Sequence, residues 1–219
     1  MSDPASRLPQ TLWLGLGLLL GFLALAYLLS LAEFKQQQRQ SLPVIGVVAD
    51  FTLTNQDGKV TTRADLTNRV WVADIIFTRC AGPCPIITGH MKSLEGALPK
   101  TSNARLVTLT TDPDFDTPAL MKRYGERFGA DFNRWTFLTG TKAEIGALGG
   151  GSLKLSAVPV QPADQTNAAD LFIHTTIFVV VDKHARLRGS FETVGDGVDW
   201  TNAVQLRIVN TVRRLEREP

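Results

Sequence analysis

From Leu12 to Ala32 the chain runs 21 residues without a charge. The only polar groups in this run are Ser30, the Tyr27 hydroxyl and the Trp13 indole N–H. At about 1.5 Å of rise per residue, such a helix spans roughly 30 Å, the thickness of a bilayer core. Trp13 and Tyr27 lie near its ends, where amphipathic rings favour the membrane interface. Residues 12–32 are therefore read as a transmembrane anchor behind a short tail, residues 1–11. A cleaved signal peptide competes with this reading, because Ser30-Leu31-Ala32 resembles a small-x-small cleavage site. The run is long for the apolar stretch of a signal peptide, and Arg7 alone makes a weak basic flank. Both readings export the remainder of the chain. Gly17 and Gly21 form a G-x-x-x-G pair, a spacing that allows close helix packing but arises readily by chance in a Leu/Gly-rich span.

Residues 33–43, with Gln36-Gln37-Gln38, are polar and read as a linker. Residues 44–219 then form one domain. A formal net charge of +2 argues against a nucleic-acid binder built on a basic surface. Two cysteines are too few for a disulfide scaffold or an all-cysteine zinc site, which needs four thiolates. Asp50 to Leu53 and Val60 to Thr62 flank Asn55-Gln56-Asp57-Gly58, a hairpin signal. Val70 to Phe77 and Arg105 to Leu109 are apolar enough for buried strands, and Trp135 to Leu138 for a third. Helical spacing covers Pro85 to Leu98, although Gly89 and Gly96 weaken it. Asp116-Thr117-Pro118 caps a helix that continues to Phe128, and Thr141 to Leu148 forms a short helix. A long loop comes next, from Gly149 to about Asp170. Phe172 to Val181 and Leu187 to Phe191 form a hairpin across Asp182-Lys183-His184, and Trp200 to Arg214 is the last helix. This order predicts an α/β, thioredoxin-like sheet with helices on both faces.

Cys80 and Cys84 sit in Phe77-Thr78-Arg79-Cys80-Ala81-Gly82-Pro83-Cys84-Pro85, between the first buried strand and its helix. Pro85 suits the first helical position, which makes Cys84 the expected N-cap. The positive end of the helix dipole then favours its thiolate. Three intervening residues let both sulfurs converge on one point. They form a disulfide or bind one soft ion, and thiolates select Cu(I) or zinc. The spacing alone does not separate redox work from metal binding. A third ligand would come from the histidines. His174 lies near the edge of the late hairpin, where its ring could reach the cysteine loop. On the residues alone, a satisfied surface or core histidine is the simpler reading. His90 lies six residues past Cys84 and is expected to point away. His184 reads as a solvated turn residue.

Three stretches together resemble the SCO/SenC family of membrane-anchored copper proteins of cytochrome c oxidase assembly. They are Ile76 to Pro85, then Asp112-Pro113-Asp114-Phe115-Asp116-Thr117-Pro118, then His174 before an apolar strand ending in Asp182. The resemblance covers roughly Val48 to the C-terminus. It implies a thioredoxin-like fold with an inserted hairpin, and a site for Cu(I) or Cu(II) made by Cys80, Cys84 and His174. It also implies a soluble domain on the periplasmic side of the inner membrane. The implied partner is the copper-site subunit of cytochrome c oxidase or another copper carrier. Ala81 and Gly82 stand where the family often has Pro-Asp, so the acidic residue beside the first cysteine is missing. The Asp-Pro…Asp-Thr-Pro segment reads as structural, a helix cap. The implied function is copper delivery. The alternative is a thiol–disulfide oxidoreductase that uses Cys80 and Cys84 as its redox pair and keeps a partner's metal-ligand cysteines reduced. A redox or copper sensor is a third reading, whereas Thr78 and Arg79 alone are thin support for a peroxidase.

Overall fold

The computed structural model describes residues 10–39, 41–155, 157–159, 172–174 and 176–218, with side chains at 13–31, 41–155 and 176–218. The chain divides into two compact units, Met1–Leu42 and Pro43–Pro219. The first holds helix α1, Gln10–Arg39. Within it, Trp13–Leu31 is long and apolar enough to cross a membrane.

The second unit runs β1 (Gly46–Val47), β2 (Thr52–Asn55), β3 (Val60–Thr62), α2 (Arg63–Leu66), β4 (Trp71–Ile76), α3 (Cys84–Ala97), β5 (Arg105–Thr110), α4 (Pro118–Arg127), β6 (Trp135–Thr139), α5 (Lys142–Gly146), β7 (Ala157–Pro159), β8 (Phe172–His174), β9 (Ile177–Val181), β10 (Arg186–Glu192) and α6 (Gln205–Arg217). Among the described residues, eight strands form one mixed sheet in the order β1-β10-β9-β4-β5-β6-β2-β3. The strands β4, β5 and β6 are parallel, with α3 and α4 as their crossovers. All six residues of β4 are buried. Successive side chains on a strand point to opposite faces. Trp71, Ala73 and Ile75 thus enter one core with Val107, Leu109, Ile145, Leu148 and Val179. Val72, Asp74 and Ile76 take the other face. Both faces are covered, which is why this strand reads as an unbroken apolar run around one aspartate.

The β2–β3 turn follows from its residues. Asn55 Oδ1 accepts the N–H groups of Asp57 and Lys59, and Gly58 takes the left-handed φ of +73° that the turn requires. On α3, Ile87, Met91 and Leu94 are fully buried at helical spacing, and α3 packs against α6. Thr117 caps α4 by accepting the Leu120 N–H.

Three expected elements differ. The run Phe172 to Val181 is two strands: β8 pairs with β7 as an inserted antiparallel hairpin, while β9 joins the main sheet. Thr176 O accepts both the N–H and the hydroxyl of Thr193 at the point where the β9–β10 ladder ends. The short fifth helix continues as a π-helical turn, Ala147–Ser152. The last helix likewise opens with a π-helical turn, Trp200–Val204, before α6. Of the long loop expected from Gly149, the stretch 160–171 lies outside the described residues.

Candidate metal centre

The first cysteine is presented by a turn. Where β4 ends, the Cys80 N–H donates to Phe77 O at 3.2 Å, closing the four residues Phe77 to Cys80. The second cysteine opens α3. Here the structure corrects the expected cap: Pro83 is the N-cap, its carbonyl accepting the Ile87 N–H at 3.0 Å, and Cys84 is already helical. Prolines at 83 and 85 lack N–H groups that would be orphans in the first turn, so the helix starts one residue earlier at no hydrogen-bonding cost.

Both thiols are buried, Cys84 completely, and the pair is in the dithiol form. The two side chains are hydrogen-bonded to each other. This bond and burial push the Cys84 thiol well above the ordinary cysteine range, while the Phe77 backbone acts in the opposite direction. The expectation that the helix dipole favours a Cys84 thiolate is thus overturned for the dithiol state. A bond to the partner sulfur and loss of solvent outweigh a terminal dipole.

Beneath the pair lies a polar floor inside the core. The Thr88 hydroxyl donates to Cys84 O at 2.8 Å and lies 2.8 Å from the Tyr124 hydroxyl. Burial pushes the acidity of that phenol down. Asp74, fully buried on β4, accepts from the Thr108 hydroxyl at 2.6 Å. Thr108 in turn accepts the Trp135 indole N–H at 2.8 Å. The Asp74 charge also acts on Cys84, in the direction that disfavours its thiolate.

The histidines separate. The His90 ring stacks on Trp200, centroids 4.4 Å apart and planes 8° off parallel, and burial holds its pKa below the usual value. His184 is an exposed turn residue whose N–H donates to Asp182 Oδ1. The His174 backbone ends β8, opposite Ala157, and its side chain lies outside the described residues. Register shows which end of the sheet it approaches. Val179 pairs with Ala73 in an antiparallel ladder, so the start of β9, and β8 just before it, lie towards the end of β4 that leads to Cys80. Among the described residues, no group of three His, Cys, Asp or Glu side chains converges to hold a metal ion.

Sequence reasoning missed the part played by Asp112 and Asp116. Besides leading into the α4 cap, both bond to the turn that carries Cys80. A signal was available: two aspartates four residues apart, directly after a buried strand parallel to β4.

The chain matches the SCO1/SenC family over residues 39–207. A SCO1 protein homolog from Bacillus subtilis (strain 168) is 33% identical over 150 residues, which cover 67% of this chain and 74% of the homolog. Among solved structures, the fold matches that of BsSco, a member of the Sco family of cytochrome c oxidase assembly proteins in which a disulfide switch has been identified. The TM-score is 0.66 at 29% identity, over 81% of this chain and 98% of that one. Bradyrhizobium japonicum ScoI, solved with copper bound, matches with a TM-score of 0.62 over 77% of this chain and 99% of that one. At 22% identity it shows the shared fold alone. With the family's pattern spanning most of the sequence and its thioredoxin-like fold reproduced, the chain belongs to the SCO1/SenC family.

Proposed function

We propose that this chain is a membrane-anchored copper carrier for cytochrome c oxidase assembly, and that Cys80, Cys84 and His174 hold its cargo. The observation that carries this reading is the direct contact of two buried thiols at one end of the sheet. Two sulfurs that already meet need little reorganisation to share one soft ion. Thiolates favour Cu(I), and an added imidazole suits Cu(II). Loading releases the thiol protons, so it weakens in acid. Oxidation of the pair removes both thiolates and with them the site. The register of β9 on β4, which brings β8 towards the cysteine end, supports His174 as the third ligand. Membership of the SCO1/SenC family, for which the sequence resemblance implies copper, supports the same cargo. The span Trp13–Leu31 supports a single-pass anchor, and the resemblance to the SCO/SenC family implies the periplasmic side of the inner membrane for the second unit. The partner is the copper-site subunit of the oxidase or another copper carrier.

The test is anaerobic titration of the reduced full chain in detergent with Cu(I) and with Cu(II). Either Cys80→Ser or Cys84→Ser should abolish tight Cu(I) binding. His174→Ala should keep part of the Cu(I) binding and lose most of the Cu(II) binding. Undiminished binding in the cysteine variants overturns the carrier reading, and undiminished binding in His174→Ala removes that residue from the site. Release of the full chain from membranes by a carbonate wash overturns the anchor. The hydrogen-bonded dithiol also favours a second reading, a thiol–disulfide oxidoreductase that keeps a partner's cysteines reduced. That role needs both cysteines and not His174. Normal oxidase assembly in cells carrying His174→Ala, with failure in either cysteine variant, selects it.

A further inference from the structure

We infer that the loop from Asp112 to Asp116 is a clasp that positions Cys80, with Asp116 and Asp112 as its positioning residues. The inference rests on reading Cys80 and Cys84 as the working pair.

The two thiols are mounted differently. Cys84 is fixed by α3, whereas Cys80 hangs on the Phe77–Cys80 turn, so their meeting depends on where that turn is held. Each of its two central residues is bound by a different carboxylate. Asp116 accepts the Thr78 N–H at 3.1 Å and the Thr78 hydroxyl through its other oxygen. It also accepts the hydroxyl of Thr110 at the end of β5. Asp112 takes both Nε and Nη2 of Arg79, at 2.8 and 2.6 Å. The same guanidinium lies 4.5 Å over the Phe115 ring. The loop itself is well braced. The Asp116 and Phe115 N–H groups both donate to Asp112 O, the Asp112 N–H donates to Thr110 Oγ1, and the Thr111 N–H donates to Ile76 O.

Asp116 is fully buried, and a buried carboxylate is costly unless its hydrogen bonds require it. The α4 cap does not require it, because Thr117 makes that bond alone. Of the three groups that donate to its carboxylate, two, a backbone N–H and a hydroxyl, belong to Thr78, two residues before Cys80. The chemistry it serves is therefore the placement of the turn.

The test is redox equilibrium of the full chain in detergent with reduced and oxidised glutathione. Two reduced glutathione molecules and the protein disulfide form when the dithiol reduces one glutathione disulfide, so the measured ratio reports how well Cys80 and Cys84 are placed to bond. Asp116→Asn should make the protein disulfide about tenfold less favourable, as expected for losing a hydrogen bond to a buried charge. Thr78→Val, which removes only the hydroxyl, should shift the ratio in the same direction, and Thr78→Ser should restore it. The double variant should shift it by less than the two singles combined, because both break the same bond. Asp114→Ala removes an exposed carboxylate of the same loop, paired with Lys142, and should leave the ratio unchanged. If Asp116→Asn does not fold, the Thr78 pair carries the test. A ratio unmoved by Asp116→Asn and Thr78→Val, or moved as much by Asp114→Ala, overturns the clasp. The readout contains no copper, so a chain that binds no Cu(I) yet shows these shifts refutes the carrier reading and keeps the clasp.

Discussion

At the scale of single residues, the spacing Cys80-x-x-x-Cys84 was enough to bring two sulfurs together on paper. It was not enough to give their protonation. A dipole argument looks only along the helix and predicts a thiolate. The structure adds a partner sulfur, complete burial and the charge of Asp74, and all three favour the thiol. The largest influence is the bond with Cys80, so its removal has a definite sign. In Cys80→Ala the Cys84 pKa should fall from its raised position. Thiolate absorbance followed through a pH titration of the full chain checks this, and an unchanged or higher Cys84 pKa would refute the assigned cause. Gly82 was equally illegible. A Cβ there would lie 3.9 Å from Cys80 Sγ, an ordinary contact, so the backbone at this position tolerates a first side-chain carbon.

At the scale of elements, most strands and helices were legible because burial on both faces produces unmistakable apolar runs. The failures came where neighbouring elements decided the outcome. Nothing in Phe172 to Val181 announces that its first part pairs with β7 and its second with β4 and β10. The last helix opens with a π-helical turn at Trp200, whose ring packs against His90 and Phe178. Glycines show the same division between local and tertiary control. Gly89 and Gly96 weakened the α3 pattern, yet both are exposed and an added Cβ would meet nothing within 4 Å. Replacing either by Ala should stabilise the protein by about 1 kcal/mol. In α4, a Cβ on Gly125 would sit 2.8 Å from Phe137 and 2.9 Å from Phe132. Both are ring carbons, and neither ring can retreat easily from the packed cluster they share with Tyr124 and Trp135. There the clash outweighs the gain in propensity, and Gly125→Ala should destabilise by about 1–3 kcal/mol. Thermal or denaturant unfolding of the three variants tests the opposite signs, and a stabilised Gly125→Ala would show that the cluster yields.

At the scale of the whole molecule, the folded unit is fastened at the end of its sheet away from the thiols. Asp182 and Arg188, both buried, pair at 2.5 Å near the end of β9 that meets the start of β4. Arg188 also bonds Pro43 O and Glu218, so both ends of the unit are fixed at this point. The cysteine turn lies at the other end of the sheet, outside this ion-pair cluster. Acid acts on Asp182 and on His90 in different pH ranges. Burial raises the Asp182 pKa, but the Arg186 N–H and the guanidinium groups of Arg188 and Arg186 outweigh it, and the net shift is downward. Its contribution to stability is therefore complete above about pH 4 and is lost as pH falls further. His90 acts at higher pH. Burial lowers its pKa, so the unfolded chain binds the proton more readily than the folded one. Its contribution is present above about pH 6.5, the unfolded value, and is lost progressively below it. Asp116 has the opposite sign: burial raises its pKa, so protonation favours the folded state. A difference measurement isolates the histidine. Unfolding free energy measured from about pH 7.5 to pH 5 should decline for the parent chain. It should decline less for His90→Phe, which keeps a ring against Trp200 and cannot take up a proton. Parallel pH profiles for the two proteins would show that protonation of His90 costs the fold nothing, and that its stack on Trp200 survives the charge.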